Sequence, residues 1–180
     1  MRSGRFAEAH RDLTDAHQRA SALGTPHYVA RAAAHLGELL AQMGRLQEAC
    51  VHIDTALAQL ETLGQPSWLA ELRAISAHVR ATMGDKDRAR VQAGLSEEIA
   101  EQIGRLELYS ETAWHLAAAR GLIGDDEGAK RAAQFGAESF AEDASHMDSE
   151  LASSYGRLPW NRNIAAFSKG RHVPLRIDTP

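Results

Sequence analysis

The sequence holds a single cysteine, Cys50, among 180 residues. One thiol excludes an internal disulfide and a multi-thiolate metal cluster. Prolines are also few: Pro26, Pro66, Pro159, Pro174 and Pro180. None interrupts a long apolar-periodic stretch, so long helices can run unbroken between them. Aromatic residues make up 6% of the chain while hydrophobic residues reach 44%, so the apolar volume comes from small side chains, above all alanine. That suits backbones in close approach. No apolar run reaches the length of a membrane span and no apolar leader core opens the sequence, so the expectation is a cytoplasmic protein that does not enter a membrane. Basic residues are outnumbered, 20 Lys and Arg against 24 Asp and Glu. A dedicated nucleic-acid binder, which needs a basic face to displace counterions, is disfavoured. The charge is uneven: beyond residue 156, Arg157, Arg162, Lys169, Arg171 and Arg176 face only Asp178. A basic tail therefore follows an acidic body, and it can either dock on acidic surface or hang free.

What the sequence has in quantity is punctuation. The hexamers GRFAEA, GRLQEA, GDKDRA and GDDEGA begin at Gly4, Gly44, Gly84 and Gly124, and each ends in alanine: Ala9, Ala49, Ala89 and Ala129. A second ladder, Gly24, Gly64 and Gly104 with Ala144 in the fourth place, runs halfway between. Glycine just past a helix takes a left-handed conformation without strain, so a stop falls every 20 residues. Start signals follow the stops: Thr25 before Pro26, Gln65 before Pro66, and Ser145 with Asp148 as a capping box. Between them the apolar period is helical, as in Leu46, Ala49, Cys50, Ile53, Ala56, Leu57 and Leu60. The spacing predicts helices near 5–23, 26–43, 45–63, 67–83, 86–103, 107–123, 126–143 and 146–157, and no strand. Gly4, Gly44, Gly84 and Gly124 are expected to close hairpins, and the alanine after each marks a helix crossing with room for a methyl group only. The hexamer is no phosphate loop, since it lacks the Lys-Ser/Thr pair.

These residues resemble the tetratricopeptide repeat. The best copy is Leu36-Gly37, Leu40, Gly44, Ala49, Ile53 and Ala56; a second keeps Ala77, Gly84, Ala89 and Ala93; a third keeps Leu116-Ala117, Gly124, Ala129 and Ala133. The unit is longer than the common 34-residue repeat, and the family's usual tyrosine and proline are missing. The length is similar to that of elongated repeats in bacterial signalling and transcriptional regulators of the maltose-regulator type and in kinesin light chain; HEAT and armadillo units are the structural alternative. The resemblance implies an all-α fold: a right-handed superhelix, or α-solenoid, of about four stacked antiparallel hairpins over residues 1–157. The repeats lie near 26–63, 67–103 and 107–143, with a final helix at 146–157, and 158–180 forms a C-terminal cap and the basic tail. Within that cap Trp160, Ile164 and Phe167 are expected over the last hairpin. Because Gly4 is a mid-hairpin position, the chain opens on a second helix, which predicts the C-terminal repeat region of a larger bacterial regulator or an end that pairs with another chain.

The resemblance also implies a concave groove lined by the first helices. The columns of the best copy place Arg31, Glu38 and Gln42 there from the first full hairpin, Glu71 and His78 from the next, and Glu111 and Trp114 from the third. The Lys and Asn of the carboxylate clamp in chaperone-binding members are absent, so an acidic tail is not the expected guest; the glutamates favour a protein or peptide segment of basic character. Ordinary solvated glutamates, and Trp114 as packing between hairpins, are the alternative. Trp68 is expected to pack between repeats. A small-effector sensor would instead need an enclosed apolar pocket, and a homodimer would bury Phe6 and Leu13 on the uncapped first helix. Nine histidines are present, but no His-Glu-x-x-His motif occurs, and His35 and His115 sit two hairpins apart, too far for one metal to bridge. No nucleophile, base and oxyanion set assembles, and Cys50 lies on an apolar stripe as a small hydrophobe. The expectation is a binding protein with no enzymatic activity, metal or cofactor.

Overall fold

The computed structural model describes residues 2–104 and 110–167, with side chains from Phe6 onward. Among these residues the regular structure is entirely helical: α1 (Arg2–Ala22), α2 (Pro26–Gln42), α3 (Leu46–Leu63), α4 (Pro66–Met83), α5 (Lys86–Ile103), α6 (Ser110–Ile123), α7 (Asp126–Ser145), α8 (Ser149–Gly156) and α9 (Pro159–Phe167). They pack in sequential hairpins, α2 with α3, α4 with α5 and α6 with α7. The first helices α4 and α6 also pack on one another, and α1 lies against α2. The start expected near 107 for the sixth helix, and the residues around Lys169 to the C-terminus, fall outside the described residues.

Both glycine ladders are joints. Gly24, Gly44, Gly64, Gly84, Gly104 and Gly124 have φ between 63° and 89°. Space around Gly24, Gly64, Gly84, Gly104 and Gly124 is open, with no atom within 4 Å of a built Cβ. Backbone conformation, not crowding, therefore selects glycine there. Gly4 is different from the expectation: it lies inside α1. Helix α1 already begins at Arg2, so Gly4 takes helical backbone and not the left-handed turn of the other ladder members. Ala144, the fourth member of the second ladder, also lies within a helix, so α7 runs on to Ser145.

Two expected caps are revised. Thr25 holds the N-cap position of α2 without a side-chain cap hydrogen bond; its hydroxyl donates to the Ala20 carbonyl at 3.0 Å. Pro26 follows it, and with its missing N–H the need for a cap is already smaller. Ser145 donates to the Glu142 carbonyl at the end of α7, and Asp148 is the residue that caps α8, accepting from Leu151 N at 2.8 Å. Asp85 and Asp125 cap α5 and α7 through Arg88 N and Gly128 N.

The hairpin cores are built on small side chains. Ala49, Ala89 and Ala129 are all essentially inaccessible, as the repeated hexamer predicts. Facing them, the first helices carry Gly37, Ala77 and Ala117 in one column, and the second helices carry Ile53, Ala93 and Ala133, all buried. The column compensates internally: where the second helix supplies a large Ile53, the first helix supplies the glycine. A Cβ on Gly37 would stand 2.6 Å from Ile53 Cγ1 and 3.2 Å from the Ala49 carbonyl oxygen.

Two arginines, Arg80 buried and Arg120 half-buried, tie successive hairpins together. Arg80 on α4 reaches back to Asp54 of α3, its Nη2 donating at 2.6 and 2.8 Å, and forward to Asp85, 3.6 Å away. Arg120, 40 residues on, pairs with Glu97 of α5 and with Asp125 at 3.1 Å. Each arginine therefore binds the aspartate that caps the next helix. At the C-terminal end α9 lies across α6 and α7. Ile164, 1% exposed, enters a cluster with Ala113, Trp114 and Ala118, bordered by Phe135, Trp160 and Phe167. Gly136 leaves room for it. Asn161 locks this end: it accepts from Ser110 Oγ and donates to the Tyr155 carbonyl.

Candidate functional site

Glu38 on α2, Glu71 on α4 and Glu111 on α6 come from three successive first helices, and their charges act on one another. Glu71 and Glu111 occupy the same column of the repeat, 40 residues apart; Glu38 lies about two turns further along α2, where Arg31 fills that column. All three carboxylates are half-buried. Around them stand His35, Gln42 and Arg31 from α2, His78 from α4 and His115 from α6.

The carboxylates are not balanced. Burial pushes Glu111 upward, and the neighbouring Glu38 and Glu71 charges push it further, to about 7, against the opposing pull of His35. Glu71 is raised by burial, with His35 and Arg31 acting the other way. Burial also draws Glu38 upward, but its histidine neighbours hold it below the usual carboxylate range, and Gln42 Nε2 donates to it at 3.3 Å. The attraction of Glu38, 3.8 Å from Nδ1, raises His35 despite burial. His115 is lowered by burial. Both histidines lower Glu38, His35 chiefly through its hydrogen bond and His115 through its charge.

The two inner histidines meet back to back. His78 Nδ1 and His115 Nδ1 are 3.1 Å apart, so one ring must donate and the other accept. The His78 ring also stands edge-on to Trp114, with centroids 6.4 Å apart. These contacts revise two expectations for an open groove. His78 is 1% exposed and Trp114 is 7% exposed; neither is available to a guest. Trp114 is covered because α9, which belongs to no repeat, brings Ile164 onto it. His78 is covered because α4 and α6 pack directly on one another. Arg31 is exposed, with its guanidinium 4.9 Å above the Trp68 ring, a cation–π contact that preorganises both groups. Trp68 itself is half-buried against the core of the first full hairpin. Phe6 and Leu13 are half-buried on α1.

One grouping escapes column-by-column reading. Ligand atoms of Glu38, Glu111 and His115 all lie within 4.8 Å of one another. Residues two hairpins apart do converge, because Glu38 rather than His35 spans the distance across α4. The signal in the sequence was Glu111 and His115 at i, i+4 on one helix, which places both on one face; nothing local in the sequence told that Glu38 would meet them. Cys50 is half-buried, its Sγ 3.6 Å from Met83 Sδ, and burial pushes its thiol up, away from a reactive thiolate. No helix among the described residues is long and apolar enough to cross a membrane.

Compared with protein-family models, with curated proteins and with solved structures, the chain matches none of them. The fold supports a helical-repeat scaffold in general terms, built of sequential hairpins.

Proposed function

We propose that the chain is a tetratricopeptide-like superhelical scaffold that takes up a segment of a partner protein along the face formed by α2, α4 and α6, with preference for a basic segment. It would serve as the C-terminal repeat region of a larger bacterial regulator. The observation that carries this reading is the electrostatic imbalance at Glu38, Glu71 and Glu111. Three carboxylates are drawn together, and one of them is raised to about 7 by burial and by the other two. A guest ammonium or guanidinium would relieve that repulsion, and Arg31 and Gln42 would frame the entrance beside it. The effector-sensor alternative asks for an enclosed apolar cavity. Among the described residues, the cavity between α5 and α7 holds about 190 Å³ and is lined by Glu97, Glu101 and Arg131 as well as Leu116 and Phe135, while a larger, more apolar one of about 360 Å³ beside Gly24, Val29 and Leu63 lies open to solvent, which favours the scaffold reading.

The test is fluorescence anisotropy with labelled peptides matched in length, either Lys/Arg-rich or Asp/Glu-rich. Basic peptides should bind more tightly, with an affinity that falls as salt rises. The variant Glu71→Gln/Glu111→Gln should weaken them about tenfold, equivalent to about 1.4 kcal/mol. Equal binding of both peptide classes, or an unchanged affinity in the double variant, refutes the proposal.

A further inference from the structure

We propose that Glu38, Glu111 and His115 form a binding site for one first-row divalent transition ion, with Zn²⁺ or Co²⁺ as the fitting class. This goes beyond the scaffold reading and does not depend on any segment binding.

The geometry comes from two helices. On α6, Glu111 and His115 are one turn apart, the i, i+4 spacing that aims two side chains at one point. From α2, Glu38 brings a third donor, and the three ligand atoms lie within 4.8 Å of one another. Metal bonds of about 2.0–2.2 Å set ligand atoms of a tetrahedral site about 3.4 Å apart. Closing around an ion therefore asks for small rotations of two glutamate side chains, with no backbone rearrangement. His115 gives the second, independent indication. It is 6% exposed, and the Nδ1 contact with His78 is its only hydrogen bond among the described residues. A buried imidazole with one nitrogen engaged and a ligand atom facing two carboxylates is a histidine oriented for a metal. His78 is then the positioning residue: with His115 donating its Nδ1–H to His78 Nδ1, the ring and its tautomer are fixed and Nε2 carries the lone pair for the ion. The mixed donor set decides the class of ion. An imidazole nitrogen with two carboxylates suits zinc and its first-row neighbours, whereas Mg²⁺ and Ca²⁺ prefer oxygen alone. Three protein donors leave a fourth position for water or for a donor from a partner.

The experiment uses the full chain without a histidine tag, dialysed against EDTA and then freed of it. Zn²⁺ is titrated by calorimetry, and Co²⁺ by its visible absorption, whose intensity reports tetrahedral geometry. One ion per chain is expected, with a dissociation constant near or below about 1 μM. Glu111→Gln should weaken binding by about 100-fold. His78→Gln, as a positioning change, should weaken it by about 10-fold and alter the Co²⁺ spectrum. Glu71→Gln, outside the ligand set, should leave affinity within about 3-fold. Circular dichroism checks that each variant folds, and Glu111→Gln, at a half-buried position, stands in for His115→Ala should the latter unfold. Absence of stoichiometric binding overturns the proposal. So does binding that Glu111→Gln leaves intact, or binding that Glu71→Gln and Glu111→Gln weaken equally, which would indicate diffuse attraction to acidic side chains. Peptide affinity measured with and without EDTA keeps the two proposals apart: a failed metal site leaves peptide binding unchanged by the chelator.

Discussion

Replacing Gly37 by alanine sets two known effects against each other. In a helix interior, alanine is favoured over glycine by about 1 kcal/mol. The added methyl, however, would stand 2.6 Å from Ile53 Cγ1, 3.2 Å from the Ala49 carbonyl oxygen and 3.3 Å from Ile53 N. Two of those three neighbours are backbone, so rotating a side chain cannot relieve them and the two helices must move apart. Overpacking of that kind costs about 1–3 kcal/mol, and here the upper half of the range applies, leaving Gly37→Ala about 1–2 kcal/mol less stable. Gly94, inside α5, has nothing within 4 Å of a built Cβ. The same change there, Gly94→Ala, should raise stability by about 0.5–1 kcal/mol. The other hairpins supply the third arm, since Ala77 faces Ala93 and Ala117 faces Ala133 in the equivalent places. Ile53→Ala alone should cost about 2–4 kcal/mol as a core truncation. Gly37→Ala/Ile53→Ala should cost less than the two singles added, with a coupling of about 1–2 kcal/mol. Urea unfolding followed by circular dichroism measures all four, with a constant m-value as the check on two-state behaviour. If Gly37→Ala matches the wild type, or the double variant is simply additive, the close approach of α2 and α3 is not what demands glycine.

Two further outcomes follow from charge. Glu111 has a folded-state pKa of about 7 against 4.5 when unperturbed; because the folded value is raised, the carboxyl costs no stability below about pH 4.5, progressively more as pH rises to 7, and its full penalty above. At 1.36 kcal/mol per unit the ceiling is about 3 kcal/mol, and solvent screening brings the expectation to about 1–2. In metal-free buffer Glu111→Gln should therefore be more stable than wild type at pH 8 and equal to it at pH 4, with Glu38, Glu71 and His35 titrating in both proteins; a pH-independent difference in urea midpoint contradicts the assignment. Arg80 is buried while its partners Asp54 and Asp85 are partly exposed, so removing the partners should hurt more than removing the charge: Asp54→Ala/Asp85→Ala should cost about 2–4 kcal/mol and Arg80→Met about 1. The reverse order in thermal unfolding would show that the guanidinium is solvated where it lies.

Most of the hairpin architecture is legible in the sequence because it is written in local conformation and size. Gly44, Gly84 and Gly124 announce left-handed backbone, and Ala49, Ala89 and Ala129 announce crossings, without knowledge of anything distant. Where the chain departs from its own repeat, local reading fails. Gly4 has the hexamer yet lies within the continuous helix α1, and Ala144 lacks the left-handed preference that would have ended α7 earlier. The surroundings of the glutamates depend on longer-range facts. The spacing assigns Glu38, Glu71 and Glu111 to successive first helices, but how near their tips come depends on how α2, α4 and α6 are set against one another, which no window of sequence contains. Trp114 illustrates the same limit from the other side. The resemblance assigns its column to the open groove, but Ala74 in the same column is also buried, and Ile164, 50 residues further on and outside the periodic pattern, packs on Trp114 as well.

The six left-handed joints also bear on how such a chain can change in length. Adding one residue inside a helix turns everything beyond it by about 100° around the axis, and would set a methyl-sized crossing against a bulky neighbour. Excising the whole stretch between Gly84 and Gly124 splices like onto like, since the two glycines have φ of 86° and 89° and each donates to the carbonyl three residues before it. The molecule is thus brittle toward single insertions and forgiving toward whole units, which lets the number of glutamates presented on one face be altered by duplication while every seam stays the same.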